Sequence, residues 1–255
     1  TKIPIRIPPD VFVKGTKIAK SPIIPISAQQ NINIDKIFEA LAEIQIPERD
    51  EKSKPIFLIA RSFDINKPGT KINEMHGGVL GGILKKGILK VGDEIEVKPG
   101  LVTKKNNQIE YKTLNAKILS LHKGNASVES VSPGASVSIE TSLDPTLTKA
   151  DTLTGCLLSL KGVLPDISNK LKLKYELFEE VFGTGKHEKV EQLKTKELLM
   201  INIDTTITVG SVEKISGKEI ELFLNVPIVA LKGSNLGIAR NLQGHWRLIG
   251  FGEII

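Results

Sequence analysis

The sequence predicts a mainly β protein: two closed β-barrels in tandem, preceded by a short α/β segment. Three observations carry that reading. From Ile56 onward the chain breaks into short runs in which apolar and polar residues alternate, as where Ile95 and Val97 stand between Glu94, Glu96 and Lys98. A period of two is the mark of a strand buried on one face. These runs are separated by Gly, Pro, Asn and Asp rather than by helical stretches, which indicates barrels or sandwiches in place of βαβ units. The apolar load falls on Ile, Leu and Val, with aromatic residues at only 4%, and β-branched side chains suit a pleated surface.

The elements follow in order. Residues 1–50 read as the end of an α/β domain. Lys2 to Pro9, with three prolines among isoleucines, takes no assignment. Pro22-Ile23-Ile24-Pro25-Ile26 is a short β-rich run, and Ile34, Ile37, Phe38, Leu41 and Ile44 then recur at helical spacing. Asn33 is placed to cap that helix, Asp35 sits in its first turn, and Pro47 ends it. Glu48 to Pro55 is a charged linker. The first barrel is expected over 51–164. Its strands include one in which Ala135, Val137 and Ile139 alternate with Ser136, Ser138 and Glu140. Gly162 and Pro165 interrupt the pattern within 161–166, and a second barrel is expected over 165–255. There Leu171, Leu173, Tyr175 and Leu177 alternate with Lys172, Lys174 and Glu176. Closing each sheet on itself hides the strand edges.

Composition narrows the class of partner. Lys and Arg outnumber Asp and Glu by 35 to 29, a surplus that suits a polyanion such as RNA without identifying one. The single cysteine, Cys156, can form no internal disulfide, fits a reducing cytoplasmic setting and reads as a small core residue. His76, His122, His187 and His245 show no metal-ligand spacing. No apolar run approaches the ~20 residues of a membrane span. The chain opens on Thr1, which leaves open an absent upstream part.

The stretch from Gly78 to Glu94 is the most informative. Gly78, Gly82 and Gly87 punctuate apolar residues, and Val91-Gly92-Asp93 is a turn before the next strand. Glycine relieves crowding at sharp bends, so the residues alone describe a tightly curved barrel. The stretch also resembles the second domain of translational GTPases, the barrel that follows the GTPase domain in elongation factor Tu and its relatives. The likeness is greatest to the gamma subunit of initiation factor 2. It runs through Arg61 to Gly69, Gly92 to Gly100, Leu143 to Asp151, Leu198 to Ile203 and His245 to Gly252, in the family's order.

The resemblance carries functional implications. Ser27-Ala28-Gln29 resembles the last nucleotide-binding motif of these GTPases, which contacts the guanine base; by itself the triplet reads equally as a helix-entry loop. A phosphate-binding Gly-x-x-x-x-Gly-Lys-[Ser/Thr] is absent: Gly183-Thr184-Gly185-Lys186-His187 has Glu180 where the first glycine belongs. Asn66-Lys67-Pro68-Gly69 imitates a guanine-reading motif but lacks its acid, and is expected to be a turn. GTP and Mg²⁺ therefore belong to the intact family member. This chain is expected to bind neither tightly and to hydrolyse no GTP alone.

For initiator methionyl-tRNA the candidate phosphate contacts are Arg61, Lys67, Arg240 and Arg247. Any single one reads equally as a solvated surface charge. The polar excursion from Lys98 to Lys112 is expected to receive the alpha subunit, with Lys104, Lys105 and Tyr111 as candidates. The beta subunit and the small ribosomal subunit are the other implied partners. Arg240-Asn241 departs from the two adjacent arginines common in the family, and Pro133 to Ser138 from a more glycine-rich version. The alternatives are a selenocysteine-specific or other tRNA-carrying elongation factor, and a non-catalytic β-barrel binding module.

Overall fold

The computed structural model describes residues 23–46, 48–105, 108–181 and 188–255; the side chains of Lys104, Lys105 and Gln108 lie outside the description. The chain divides into two compact units, one ending at Glu48 and one spanning Arg49–Ile255.

In the first unit the apolar periodicity becomes helix α1 (Ile34–Ala42), with Asp35 in its first turn. Asn33 stands at the N-cap position but does not cap. It takes the left-handed conformation and its side-chain amide donates to the Pro25 carbonyl at 2.9 Å. Residues 23–26 form no strand among the described residues. No residue of α1 is buried, and Phe38 and Leu41 are more than half exposed. Pro47 lies outside the described residues.

The second unit opens with β1 (Ile56–Phe63), β2 (Val79–Lys86), β3 (Leu89–Lys90), β4 (Glu94–Lys105) and β5 (Gln108–Lys123). It continues with β6 (Ala126–Val128), β7 (Ser130–Val131), β8 (Ser136–Thr141) and β9 (Leu157–Leu160). Antiparallel pairing runs β4-β9-β1-β2-β8-β5 and closes through β4–β5, while β6 extends from β5 and β3 pairs β7. Phe57, Ile59, Leu80, Ile95, Leu121, Ile139 and Leu158 fill the interior and are fully buried; Cys156 joins them. Gly82 is required rather than tolerated. It faces Ile59 beside a register shift in β1, and a Cβ on it would lie 1.9 Å from the Leu58 carbonyl oxygen.

The second barrel comprises β10 (Ile167–Leu177), β11 (Leu198–Ile203), β12 (Thr206–Ser216), β13 (Glu219–Val229), β14 (Asn235–Leu242) and β15 (His245–Ile254). It closes in the order β10-β13-β12-β11-β14-β15. Leu173 faces its core and Lys172 and Lys174 face water, as alternation requires. The Gly183–His187 stretch lies outside the described residues.

A seam joins the barrels. Ile56, Leu157, Leu164 and Val229 form a separate apolar cluster. Lys85 of β2 bonds Asp204 between β11 and β12 at 2.9 Å, and the Thr206 hydroxyl donates to the Gly155 carbonyl. The connection after β9 is held by β4. Glu96, 5% exposed, accepts the N–H groups of Val163 and Leu164 at 3.0 and 2.8 Å. Lys98, 3.7 Å from that carboxylate, donates to the Leu164 carbonyl at 3.0 Å.

Breaking one partner of a buried, hydrogen-bonded pair costs roughly 3–5 kcal/mol. Glu96→Ala is expected to lose about that much in urea unfolding. Glu96→Gln keeps an acceptor for the two N–H groups and is expected to lose clearly less; equal losses would show that the carboxylate does not hold this connection.

Candidate functional site

The chemistry-bearing residues of the first barrel gather around β1. Strand β9 pairs β1 at Phe57 and Leu58 only. From Ala60 to Phe63 the same edge of β1 is covered by side chains of the segment following β8. Thr154 donates to the Ala60 carbonyl (3.3 Å) and Thr148 to the Phe63 carbonyl (3.1 Å). The Ser62 N–H donates to Asp151 (3.0 Å), and the buried Ser62 hydroxyl accepts the Leu153 N–H (3.0 Å). Asp151 also accepts from Arg61 Nε, at 2.9 and 3.1 Å to its two oxygens. The Arg61 hydrogen bond, then the Ser62 N–H, hold the Asp151 carboxyl below the usual carboxylate range.

Ala150 and Asp151 have φ of 55° and 59°. A non-glycine residue held there costs on the order of 1 kcal/mol. An exposed ion pair such as Arg61–Asp151 is screened by solvent and returns little, so the strain of the turn outweighs the pair's own worth.

Beyond β1 the chain makes a closed-necked loop from Asp64 to Gly78. The Asn66 side chain spans the neck, donating to the His76 carbonyl and accepting its N–H, both at 2.8 Å. Lys67 is exposed within it, in a turn whose Thr70 N–H donates to the Lys67 carbonyl at 3.1 Å. Ile72, at the tip, is 91% exposed. The neck is tied to β8 through Glu140, which accepts from His76 Nδ1 and from the Ser120 hydroxyl, both at 2.8 Å. Burial alone would raise the Glu140 carboxyl, but the Ser120 and His76 hydrogen bonds outweigh it and hold it low.

The excursion from Lys98 is a two-stranded ribbon. Strand β4 pairs β9 only from Ile95 to Lys98; past a register shift, Leu101 to Lys105 pair β5 alone. Val102 stands opposite Tyr111 and Lys104 pairs Ile109 in register, so Val102, Tyr111 and Ile109 share one face. Val102 and Ile109 are 51% and 55% exposed. Tyr111 is half-buried, which raises its phenol.

The remaining candidates lie elsewhere. Ser27, Ala28 and Gln29 belong to the first unit, in a turn closed by the Ser27–Ile32 bridge; the Ser27 hydroxyl accepts the Gln30 N–H at 3.3 Å. Arg240 and Arg247 face each other across β14 and β15 of the second barrel. Arg240 is engaged through all three guanidinium nitrogens. It bonds the Glu197 carboxylate and the carbonyls of Glu191 (3.0 Å) and Gln192 (3.3 Å), holding the segment before β11. Thus Arg61 and Lys67 both belong to the first barrel, and Arg240 and Arg247 face each other on the second. Sequence reasoning missed Asp151, Glu140, Val102 and Ile109. None left a local trace, and Val102 and Ile109 come together with Tyr111 only through the hairpin register.

Two tandem antiparallel barrels are the class of protein that this fold defines. The fold matches translation elongation factor SelB from Methanococcus maripaludis in complex with the GTP analogue GppNHp, with TM-score 0.68 over 94% of this chain and 52% of that one. It also matches a bacterial selenocysteine-specific elongation factor, with TM-score 0.65 over 88% and 32%. Identities of 21% and 17% limit these likenesses to the fold.

Sequence is more specific. The chain is 44% identical over 244 residues to translation initiation factor 2 subunit gamma of Methanocaldococcus jannaschii, covering 95% of this chain and 59% of that protein. Against the same subunit of Thermococcus onnurineus it is also 44% identical, covering 95% and 60%. Residues 169–254 match the family described as initiation factor eIF2 gamma, C terminal. By sequence the chain is similar to the translation initiation factor 2 gamma family along nearly its whole length, and it spans about 60% of the length of the curated relatives it matches.

Because Glu140 titrates lower in the fold than its ordinary 4.5, its stabilisation is fully present above the unfolded carboxylate range. It is lost as pH falls through the folded value. Urea unfolding of Glu140→Gln is therefore expected to show a deficit at neutral pH that closes in acid. A deficit independent of pH would mean that the carboxylate charge does not anchor the neck.

Proposed function

We propose that this chain is the barrel portion of an initiation factor 2 gamma subunit that carries initiator methionyl-tRNA to the small ribosomal subunit, in a cytoplasmic complex with alpha and beta subunits. The observation that carries the reading is 44% identity over 95% of the chain. RNA phosphates are taken by Arg61 and Lys67 on the first barrel and by Arg247 on the second. Arg240 supports β14, the strand facing Arg247.

The residues present fit only the edge of a guanine nucleotide. Ser27, Ala28 and Gln29 form a partly exposed turn before α1, while the sequence contains no phosphate loop. Among the described residues no cluster of three or more His, Cys, Asp or Glu could hold a metal ion. We assign GTP and Mg²⁺ to the intact factor.

The alpha subunit is assigned to the ribbon. Two exposed apolar side chains and a tyrosine on one face make a desolvating centre, and the segment carries Lys104, Lys105 and Lys112 in its sequence. Calorimetric titration with the alpha subunit's C-terminal domain is expected to show one-to-one binding, weakened about tenfold or more by Ile109→Asp with the barrel still folded. Unchanged affinity would remove the ribbon from the interface. tRNA affinity is expected to fall steeply between low and moderate salt, as phosphate contacts require; a flat salt profile would count against phosphate binding.

A further inference from the structure

We propose that Asp151 is a positioning residue that presents Arg61 as a ready-made fork for a phosphodiester of the bound RNA, a role that rests on the tRNA reading above. Arg61 meets Asp151 through Nε, at 2.9 and 3.1 Å. Its terminal amino groups have no hydrogen-bond partner among the described residues, and its side chain is 69% exposed. With Nε engaged, the outer N–H bonds of the two terminal groups, at the far end of the planar guanidinium, remain for a ligand and can match two phosphate oxygens.

The position opposite Arg61 on β2 carries no side chain. Gly81 faces Arg61 across β1 and β2, and a Cβ there would already touch the Arg61 Cβ at 3.6 Å and the Phe63 ring at 3.7 Å. The left-handed turn at Ala150 and Asp151 aims the carboxylate at Nε and at the Ser62 N–H together. An acid beside a phosphate-binding arginine ordinarily lowers RNA affinity through its charge. Here it offsets that loss by removing the rotamer freedom that Arg61 would otherwise give up on binding.

Those two effects have opposite signs, and Asp151→Asn separates them. Asparagine tolerates the left-handed turn and still accepts from Ser62, but its single uncharged oxygen holds Arg61 Nε more weakly than the carboxylate does, while the chain gains one net positive charge. Initiator tRNA affinity of the full chain, measured by fluorescence anisotropy across a salt series, is expected to fall roughly three- to tenfold, the scale of ordering one long side chain. Arg61→Gln is expected to weaken binding and to flatten the log–log salt slope by about 0.7–0.9. In the Arg61→Gln background, Asp151→Asn is expected to have no further effect, which a purely structural role would not produce. If Arg61→Gln binds like the parent chain, the RNA-contact reading of Arg61 fails and the proposal with it. If Arg61→Gln weakens binding but Asp151→Asn leaves it unchanged or strengthens it, the contact stands and the positioning role is overturned.

Discussion

Strand β1 outruns its neighbour. Past Ile59 it has no β9 to pair with, yet Ser62 is wholly buried and the backbone on either side of it still requires partners. The segment from Thr148 to Thr154 supplies them with hydroxyls and a carboxylate instead of a backbone ladder. Much of the first barrel's chemistry follows from that substitution. A strand would have imposed extended geometry; side-chain capping permits the compact left-handed turn at Ala150 and Asp151. That turn in turn brings an acid to the one exposed arginine of β1. Leu143 and Leu153, both buried, pin the covering segment at its ends, so that the hydrogen bonds are made from a fixed frame.

The seam between the barrels is built on a different balance. Burying Ile56, Leu157, Leu164 and Val229 contributes about 1.5–3 kcal/mol per side chain relative to exposure, and it is non-directional. Glu96 and Lys98 add little net stability, since a buried pair recovers roughly its own desolvation cost. What they add is direction. Each acceptor and donor meets a particular backbone group of residues 163–165, so the connection enters β10 along one path. Lys85 and Asp204 repeat the device between β2 and the β11–β12 turn.

How far the sequence could be read follows the range of the forces involved. Alternation in β8 and β10 reports a local rule and was legible, as was the glycine at 82, whose place is dictated by a carbonyl one strand away. Pairing of Arg61 with Asp151 joins residues 90 positions apart and leaves no local trace; each reads alone as a surface charge. Asn33 illustrates competition: its side chain had two uses, cap or long bond to Pro25, and the second won. The run at 23–26 has strand composition but no described neighbour with which to form a ladder. For the ribbon, the polar excursion was visible, but its apolar face was not. Val102 and Ile109 become neighbours of Tyr111 only once the hairpin register is known.

The ribbon and the Arg61 surface are also separated in a way that bears on how two partners use one barrel. In the ring, β9 lies between β4 and β1, and the ribbon begins only where β4 has left β9 behind. Its free edges are those of a two-stranded arm, and the lysines at 104, 105 and 112 suit an edge that must not recruit stray strands. A protein seated on that arm would bury the exposed side chains of Val102 and Ile109, whereas Arg61 stands on β1, beyond β9 in the ring. Coupling between two sites requires an element with two arrangements that both ligands bias. Fully buried Phe57, Ile95 and Leu158 pack the barrel interior between them. On the proposed assignments, a protein partner and an RNA then take separate surfaces of the same barrel.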